Sequence, residues 1–328
     1  MISVIAPAYN NPEETDLFLQ SIARHLTGNF EVIVVDDGSR DTRLGDVCAK
    51  HAFARYHRLA QNSGAPSARN AGAQLARGEV LLFLDSDLIV LSDLSAITSR
   101  LFADATVLAA VGAFAPEPAN PGYFTNFWGL VKAFSLPRET YSSTFYPAVG
   151  AIRKTVFDEV GGFNKNIKGA SIEDFEFSIR YSARGWQVHY APELLVSVHY
   201  KGMATSLRQS FDRSTKWSLL FRERRRFDNH TTTHWQALGA ICGAAIVALT
   251  PFLLLDRRVA FLLAALGLGY FAVNGAFFRY ASRVAGLAFV PAAVVFHLML
   301  SVTVTLGAVR ALAYAPLSES RRRAMIYR

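Results

Sequence analysis

The stretch VLLFLDSDLIV, residues 80–90, sets two carboxylates, Asp85 and Asp87, one residue apart between two apolar runs. Carboxylates held against apolar neighbours cost free energy unless a cation or hydrogen-bond donors satisfy them. Oxygen-only ligands suit a hard cation, Mn2+ or Mg2+, which takes few protein ligands and bridges to phosphate oxygens. Acids after a strand also cap helices and open turns, so the pair alone is compatible with either role. Two more polar clusters follow apolar runs: Ala8-Tyr9-Asn10 and Asp36-Asp37-Gly38-Ser39. The second also reads as a plain Asp-Gly turn. A further acidic pair, Glu173-Asp174, and a lone histidine, His199, lie later in the chain.

The elements that must position these groups are legible in the periodicity. Residues 2–6 form a short β-branched run, and residues 13–26 carry Leu17, Leu19, Ile22 and Leu26 at helical spacing. FEVIVV (30–35) is a buried strand and residues 56–59 a poorer one. Residues 67–76 read as a helix with Ser67 near its N-cap, and residues 80–84 and 107–113 are further strands. Apolar runs alternating with amphipathic helices indicate βαβ units and a parallel sheet covered on both faces. Ligands of such sheets sit beyond the carboxyl ends of the strands, where the three polar clusters fall.

Over roughly residues 1–200 the chain resembles the family-2 glycosyltransferases of the GT-A fold. The resemblance rests on SVIAPAYN (3–10), VVDDGSRD (34–41), SARNAGAQLARGEVLLFLDSD (67–87), GGFN (161–164) and SIEDFEFSIR (171–180), in family order. It implies an α/β, Rossmann-like nucleotide-sugar domain. Pro7, Ala8 and Tyr9 would line the base site, Asp37 would bond the base, and Asp36 would serve the same pocket. Asp85 would sit near ribose and metal, and Asp87 would ligate the metal that holds the donor's phosphates. Arg69 and Asn70 would face the donor pocket or serve the fold. His199 would approach the metal or diphosphate, or stand as a packing residue. Asp174 would be the base that deprotonates the acceptor, supported by Glu173, with inversion at the anomeric carbon. The pair also suits a helix N-terminus, with Ser171 capping a helix over 175–184. Gly161 and Gly162 read as turn residues.

The chain has 328 residues, 51% of them hydrophobic, and a net charge of +8. Residues 1–200 carry 17 basic and 21 acidic side chains, whereas residues 201–328 carry 17 and 5. The basic end is also the apolar end, which points to an anionic membrane surface rather than nucleic acid. Residues 204–227 mix arginines with Phe211, Trp217 and Phe221, as an interfacial helix does. Processive relatives carry Gln-x-x-Arg-Trp near this point; here Arg213-Ser-Thr-Lys216-Trp217 departs at two positions, so no polysaccharide synthase is inferred. Residues 237–255 and 259–278 are long enough to span a bilayer, with Asp256-Arg257-Arg258 between them. Residues 287–309 form a third candidate, interrupted by Pro291 and His297. The arginines at 222–226 place the enzyme domain in the cytoplasm. A third crossing would then put Arg321, Arg322 and Arg323 outside, which a re-entrant segment avoids.

The expected organisation is a glycosyltransferase domain at 1–203, a basic juxtamembrane segment at 204–234, a transmembrane region at 235–313 and a basic tail at 314–328. The N-terminus reads as a strand, not a cleavable signal, and Cys48 and Cys242 are not expected to pair. The expected protein sits in a bacterial or archaeal inner membrane. It would move a sugar, metal-dependently, from a nucleotide-sugar donor, a UDP-sugar, to a lipid-linked saccharide or other glycan acceptor. Two alternatives stand beside it: a polyprenyl-phosphate glycosyltransferase and a non-catalytic membrane scaffold.

Overall fold

The computed structural model describes residues 1–136, 139–142, 144–167, 172–224, 233–314 and 325. The chain divides into two compact units. The first comprises Met1–Asn120 and Leu136–His199. Its elements begin β1 (Ile2–Ala8), α1 (Pro12–His25), β2 (Phe30–Asp36), α2 (Arg43–Ala49), β3 (Ala54–Arg58) and α3 (Ala65–Leu75). They continue with β4 (Val80–Leu84), β5 (Leu88–Val90), α4 (Leu94–Phe102) and β6 (Ala109–Phe114). After α5 (Tyr123–Phe134), which belongs to the second unit, come β7 (Tyr141–Ser142), β8 (Val149–Arg153), α6 (Lys154–Val160), α7 (Glu173–Ser182) and β9 (Val188–Val198).

The sheet runs β3-β2-β1-β4-β8-β6-β9-β5, with β7 added to β9. The β3-β2-β1-β4 half is parallel, and β8 enters antiparallel between β4 and β6. All five side chains of β4 are buried, each contributing roughly 1.5–3 kcal/mol if fully removed from water. One face of the sheet is covered by α1, α2 and α4 through Phe18, Leu19, Leu44 and Leu94. The other is covered by α3, α6 and α7 through Ala68, Phe157, Phe177 and Tyr181. Because the chain leaves β1 toward β2 on one side and returns to β4 on the other, the topological switch lies between β1 and β4.

The strand–helix alternation read from the sequence is present, with shifted ends. The helix expected from Ser67 starts at Ala65, capped by Gly64, because Pro66 is tolerated in a first turn and its missing N–H costs nothing there. The helix expected over 175–184 is α7, capped at Ile172; Ser171 lies outside the described residues.

The second unit comprises residues 121–135 and, among the described residues, those from Tyr200 on. It holds α5, α8 (Met203–Arg224), α9 (His234–Leu249), α10 (Val259–Ala285) and α11 (Val290–Ala313). Three stretches, His234–Leu254, Val259–Ala285 and Leu287–Ala313, are long and apolar enough to cross a membrane. Pro291 and His297 do not interrupt the third. Pro291 occupies the first turn of α11, and His297 Nδ1 meets the Tyr270 hydroxyl at 2.7 Å. The segment 121–135 lies outside the expected transmembrane region yet packs with these helices. Its aromatic rings require apolar partners, and Phe124, Phe127 and Phe134 find them on Phe277, Tyr280 and Phe296.

The basic segment is helix α8, one side of which docks on α11. Ser214 and Thr215 donate to the Val304 and Gly307 carbonyls, and Arg310 reaches back to Asp212 at 2.7 Å and lies over the Phe211 ring. Arg208, Arg213 and Arg222 are exposed, while Arg225 and Arg226 lie outside the described residues. The tail arginines 321–323 also lie outside them.

Candidate active site

Three strand ends meet at the switch, and short polar side chains fix them to one another. Ser86, between the two carboxylates, donates its hydroxyl to the Pro7 carbonyl at 2.8 Å and accepts from Asn11 Nδ2 at 2.9 Å. The loop after β4 is thereby bound to the end of β1. Asp37 N donates to the Ala8 carbonyl, and Asn10 N donates to Ser39 Oγ, so the loop after β2 joins as well. Asn10 adopts a positive φ of 51°, which asparagine tolerates better than most side chains, and its Oδ1 accepts from Arg40 N at 2.8 Å.

The two β2 carboxylates differ in their surroundings. Asp36 is fully buried; it accepts from Ser39 N at 2.8 Å and from the Tyr56 hydroxyl at 2.6 Å. Those contacts hold its loop to β3, and burial followed by the bond to Asp36 pushes the Tyr56 hydroxyl's pKa up. Asp37 accepts from the amides of Ser63 and Gly64, both at 2.8 Å. Burial raises its pKa above the ordinary carboxylate value, although the two amides pull it down. Gly38 permits this close approach: a Cβ there would lie 2.5 Å from the Gln61 carbonyl carbon. Pro7 is half-buried, Ala8 buried and Tyr9 exposed at the end of β1.

Asp85 and Asp87 are both partly open to solvent. Asp85 accepts from Arg69 Nη2 at 2.6 Å, and Arg69 Nη1 reaches Glu173 Oε1 at 3.0 Å. The Arg69 side chain is only 3% exposed and that of Glu173 4%, against 33% for Asp85. Burial opposes the guanidinium's charge, but Asp85 and Glu173 outweigh it and hold Arg69 ionised. Asp174, beside Glu173 in the first turn of α7, is buried. Its backbone carbonyl accepts from Ser178 Oγ, which in turn accepts from Phe145 N at 2.9 Å. The glycine turn is held from two sides. Asn70 bonds the Phe163 backbone, and Arg180 donates to the carbonyls of Val160 and Gly162. Gly161 and Gly162 have φ of +89° and +67°, as their turn role requires.

His199 directly follows the C-terminal end of β9, and its backbone N–H donates to the Asp87 carbonyl at 2.8 Å. Its ring Nδ1 lies 3.8 Å from Glu14 Oε1. Among the described residues no group of three or more His, Cys, Asp or Glu side chains stands together as a metal cage. The residues fit a different kind of cation site. Two carboxylates flanking a tethered Ser86 suit a hard ion whose remaining positions go to water and phosphate oxygens. Sequence reasoning gave no role to Asn11, Ser86, Tyr56 or Arg180, because the bonds that tie them to Ser86, Pro7, Asp36, Val160 and Gly162 span 18 or more residues.

The family model Glycosyl transferase family 2 matches residues 3–161, and Glycosyl transferase family group 2 matches residues 123–307. The chain belongs to glycosyltransferase family 2. A PGL/p-HBAD biosynthesis glycosyltransferase of Mycobacterium tuberculosis is 32% identical over 193 residues, covering 55% of this chain and 69% of that protein. An uncharacterized glycosyltransferase of Haemophilus influenzae is 28% identical over 188 residues, and the chain spans 61% of its length. The chain spans 14% of a glycosyltransferase of Rickettsia felis, at 38% identity over 88 residues. Among solved structures, the mannosyltransferase PcManGT of Pyrobaculum calidifontis, in complex with GDP-Man and Mn2+, superposes with a TM-score of 0.58 at 17% identity. That match covers 95% of this chain and 86% of the other. GalNAc-T7 with UDP, GalNAc and Mn2+ superposes with a TM-score of 0.50 at 18% identity, covering 62% and 44%. Both share the GT-A fold.

Proposed function

We propose that this glycosyltransferase takes a sugar from a nucleoside diphosphate donor, a UDP-sugar, with Mn2+ or Mg2+, and inverts the anomeric centre. The acceptor is presented at a membrane and is a lipid-linked saccharide. The observation that carries this reading is the bond from Ser86 to Pro7, which sets Asp85 and Asp87 beside the end of β1 at the sheet's switch point. Pro7, Ala8, Tyr9 and Asp37 would line the base side, and Asp85 and Asp87 would hold the cation. Both solved neighbours were captured with a nucleotide or nucleotide sugar and Mn2+, which supports a similar donor here.

A cation held by Asp85 and Asp87 would supply positive charge to the departing diphosphate. Asp174 accepts the proton of the acceptor hydroxyl while that oxygen forms its bond to the anomeric carbon. The bond from that carbon to the β-phosphate oxygen breaks on the opposite face, and the nucleoside diphosphate carries away the electron pair. The three stretches able to span a membrane, with the exposed arginines of α8, favour an acceptor at the cytoplasmic surface.

The test is a binding panel of UDP, GDP, CDP and dTDP, with and without Mn2+, on the wild type and Asp87→Asn. It is followed by transfer to membrane-extract acceptors by the wild type and Asp174→Asn. One diphosphate should bind in a metal-dependent way that Asp87→Asn abolishes, and Asp174→Asn should bind it normally without transfer. Mass spectrometry of the lipid product separates an extended saccharide from a single sugar on a lipid phosphate. Binding of no diphosphate under any condition would move a non-catalytic scaffold ahead.

A further inference from the structure

Arg69 lies deep in the first unit with its two terminal nitrogens on two different carboxylates. One partner, Asp85, follows β4 on the donor side; the other, Glu173, opens α7, 88 positions further along the chain. A guanidinium presents its donors in a rigid fork, so the two carboxylates it joins are fixed relative to each other in distance and direction. Its ring neighbour Phe163 lies 5.8 Å from the guanidinium carbon. The adjacent Asn70 grips the Phe163 backbone, so α3 holds the glycine turn and α7 with consecutive residues. A side chain 3% exposed and engaged at both ends is poorly placed to contact a nucleotide itself.

We propose that Arg69 is a positioning residue that sets Asp174 against the metal-bound donor by tying Glu173 to Asp85. This rests on the roles of Asp85, Asp87 and Asp174 proposed above. Arg69 makes no contact with the reacting atoms. Its effect runs through Glu173, whose position in the first turn of α7 fixes that of its neighbour Asp174. A cation at Asp85 would weaken that carboxylate's attraction for the guanidinium, leaving more of the arginine's pull for Glu173. Donor binding and the setting of the base are thereby linked through one side chain.

The test is a double-mutant cycle in the full chain: wild type, Arg69→Met, Glu173→Gln and both together, with Arg69→Lys as the conservative variant. Arg69→Met leaves Glu173 buried without its arginine and is the variant most at risk of not folding; the double variant removes both charges and should melt higher than Arg69→Met. The readouts are kcat, KM for the donor, binding of the diphosphate chosen by the panel with Mn2+, and melting temperature. Each single change should lower kcat about 100-fold, with donor KM and diphosphate affinity within about threefold. The double variant should be no slower than the slower single, and Arg69→Lys should recover part of kcat. Losses that multiply, or a loss of diphosphate affinity larger than the loss of kcat, would overturn the positioning role and make Arg69 a donor ligand. If Arg69→Met does not fold, a double variant with near-wild-type kcat overturns it equally. A wild type that binds diphosphate with Mn2+ but transfers nothing overturns the functional reading instead.

Discussion

Asn70 and Phe163 exchange two hydrogen bonds: Asn70 Nδ2 donates to the Phe163 carbonyl at 2.7 Å, and Phe163 N donates to Asn70 Oδ1 at 2.9 Å. One side chain of α3 thus mimics a strand partner for the turn that follows α6. Both groups are buried, so the bonds have no water to replace them. Asn70→Ala leaves a backbone donor and acceptor unsatisfied and should cost about 2–4 kcal/mol. Asn70→Asp keeps the acceptor for Phe163 N but turns a carboxylate oxygen on the Phe163 carbonyl in a buried site, so at neutral pH it should cost at least as much as alanine. Thermal melts of the three proteins check the order; an alanine variant as stable as the wild type would remove the turn from α3's control.

The same pair makes the two glycines of the turn unequal. A Cβ at Gly162 would stand 2.7 Å from Asn70 Oδ1, whereas one at Gly161 would meet nothing closer than Arg180 Nη1 at 4.0 Å. Gly161→Ala should cost only the left-handed backbone strain, about 1–2 kcal/mol. Gly162→Ala should cost more, because Asn70 must release Phe163 to make room. In an Asn70→Ala background the two glycine substitutions should cost the same. Melting temperatures in both backgrounds read this out, and a gap that persists without Asn70 rejects the steric account.

Asp37 gives a pH dependence whose sign follows from its raised pKa, set by burial and opposed by the Ser63 and Gly64 amides. In the unfolded chain the carboxyl has its ordinary lower pKa. Folding therefore favours the protonated form. The advantage is full below the unfolded pKa and is lost as pH rises through the folded one. Relative to Asp37→Asn, which does not titrate, wild-type stability should decline across that window and then level off. Denaturation midpoints of both proteins from acid to neutral pH give the difference; a difference that grows with pH would mean the amides dominate over burial.

What the sequence made legible was whatever repeats locally. The apolar runs of β2 and β4 and the helical spacing of α1 need only near neighbours to be read, and the acids at their ends stood out against them. The three-residue β5 was not read, because Leu88-Ile89-Val90 is too short for a period and becomes a strand only by pairing with β9. The segment 121–135 was left inside the first domain. Its composition marks it as apolar, but no local pattern says which helices will cover it. The same limit explains Arg69: a basic residue on a helix reads as donor-facing or structural, and its bonds to positions 85 and 173 are fixed only by the sheet. Pro291 misled because a proline in an apolar run looks like a break, whereas in the first turn of α11 it is a start.

The docking of α8 on α11 turns on a single missing side chain. A Cβ at Gly307 would lie 2.6 Å from the Phe211 carbonyl oxygen and 2.9 Å from Ser214 Cβ. The Gly307 carbonyl also accepts from Thr215 Oγ1 at 2.9 Å, so the helices touch where the hydrogen bond forms. Neither backbone can retreat without losing that bond and the Arg310–Asp212 pair one turn away. Gly307→Ala should therefore loosen α8 although alanine is the better helix former, a gain of about 1 kcal/mol where space allows. Gly267→Ala in α10, where a Cβ meets nothing within 4 Å, is the control and should be neutral or stabilising. Limited trypsin digestion reads α8 directly, because Arg208 and Arg213 are exposed and are cut only when the helix opens. Cleavage at those arginines should accelerate several-fold in Gly307→Ala and stay at the wild-type rate in Gly267→Ala. Equal rates in all three proteins would mean that α8 opens without leaving α11, and that the contact at Gly307 does not hold it.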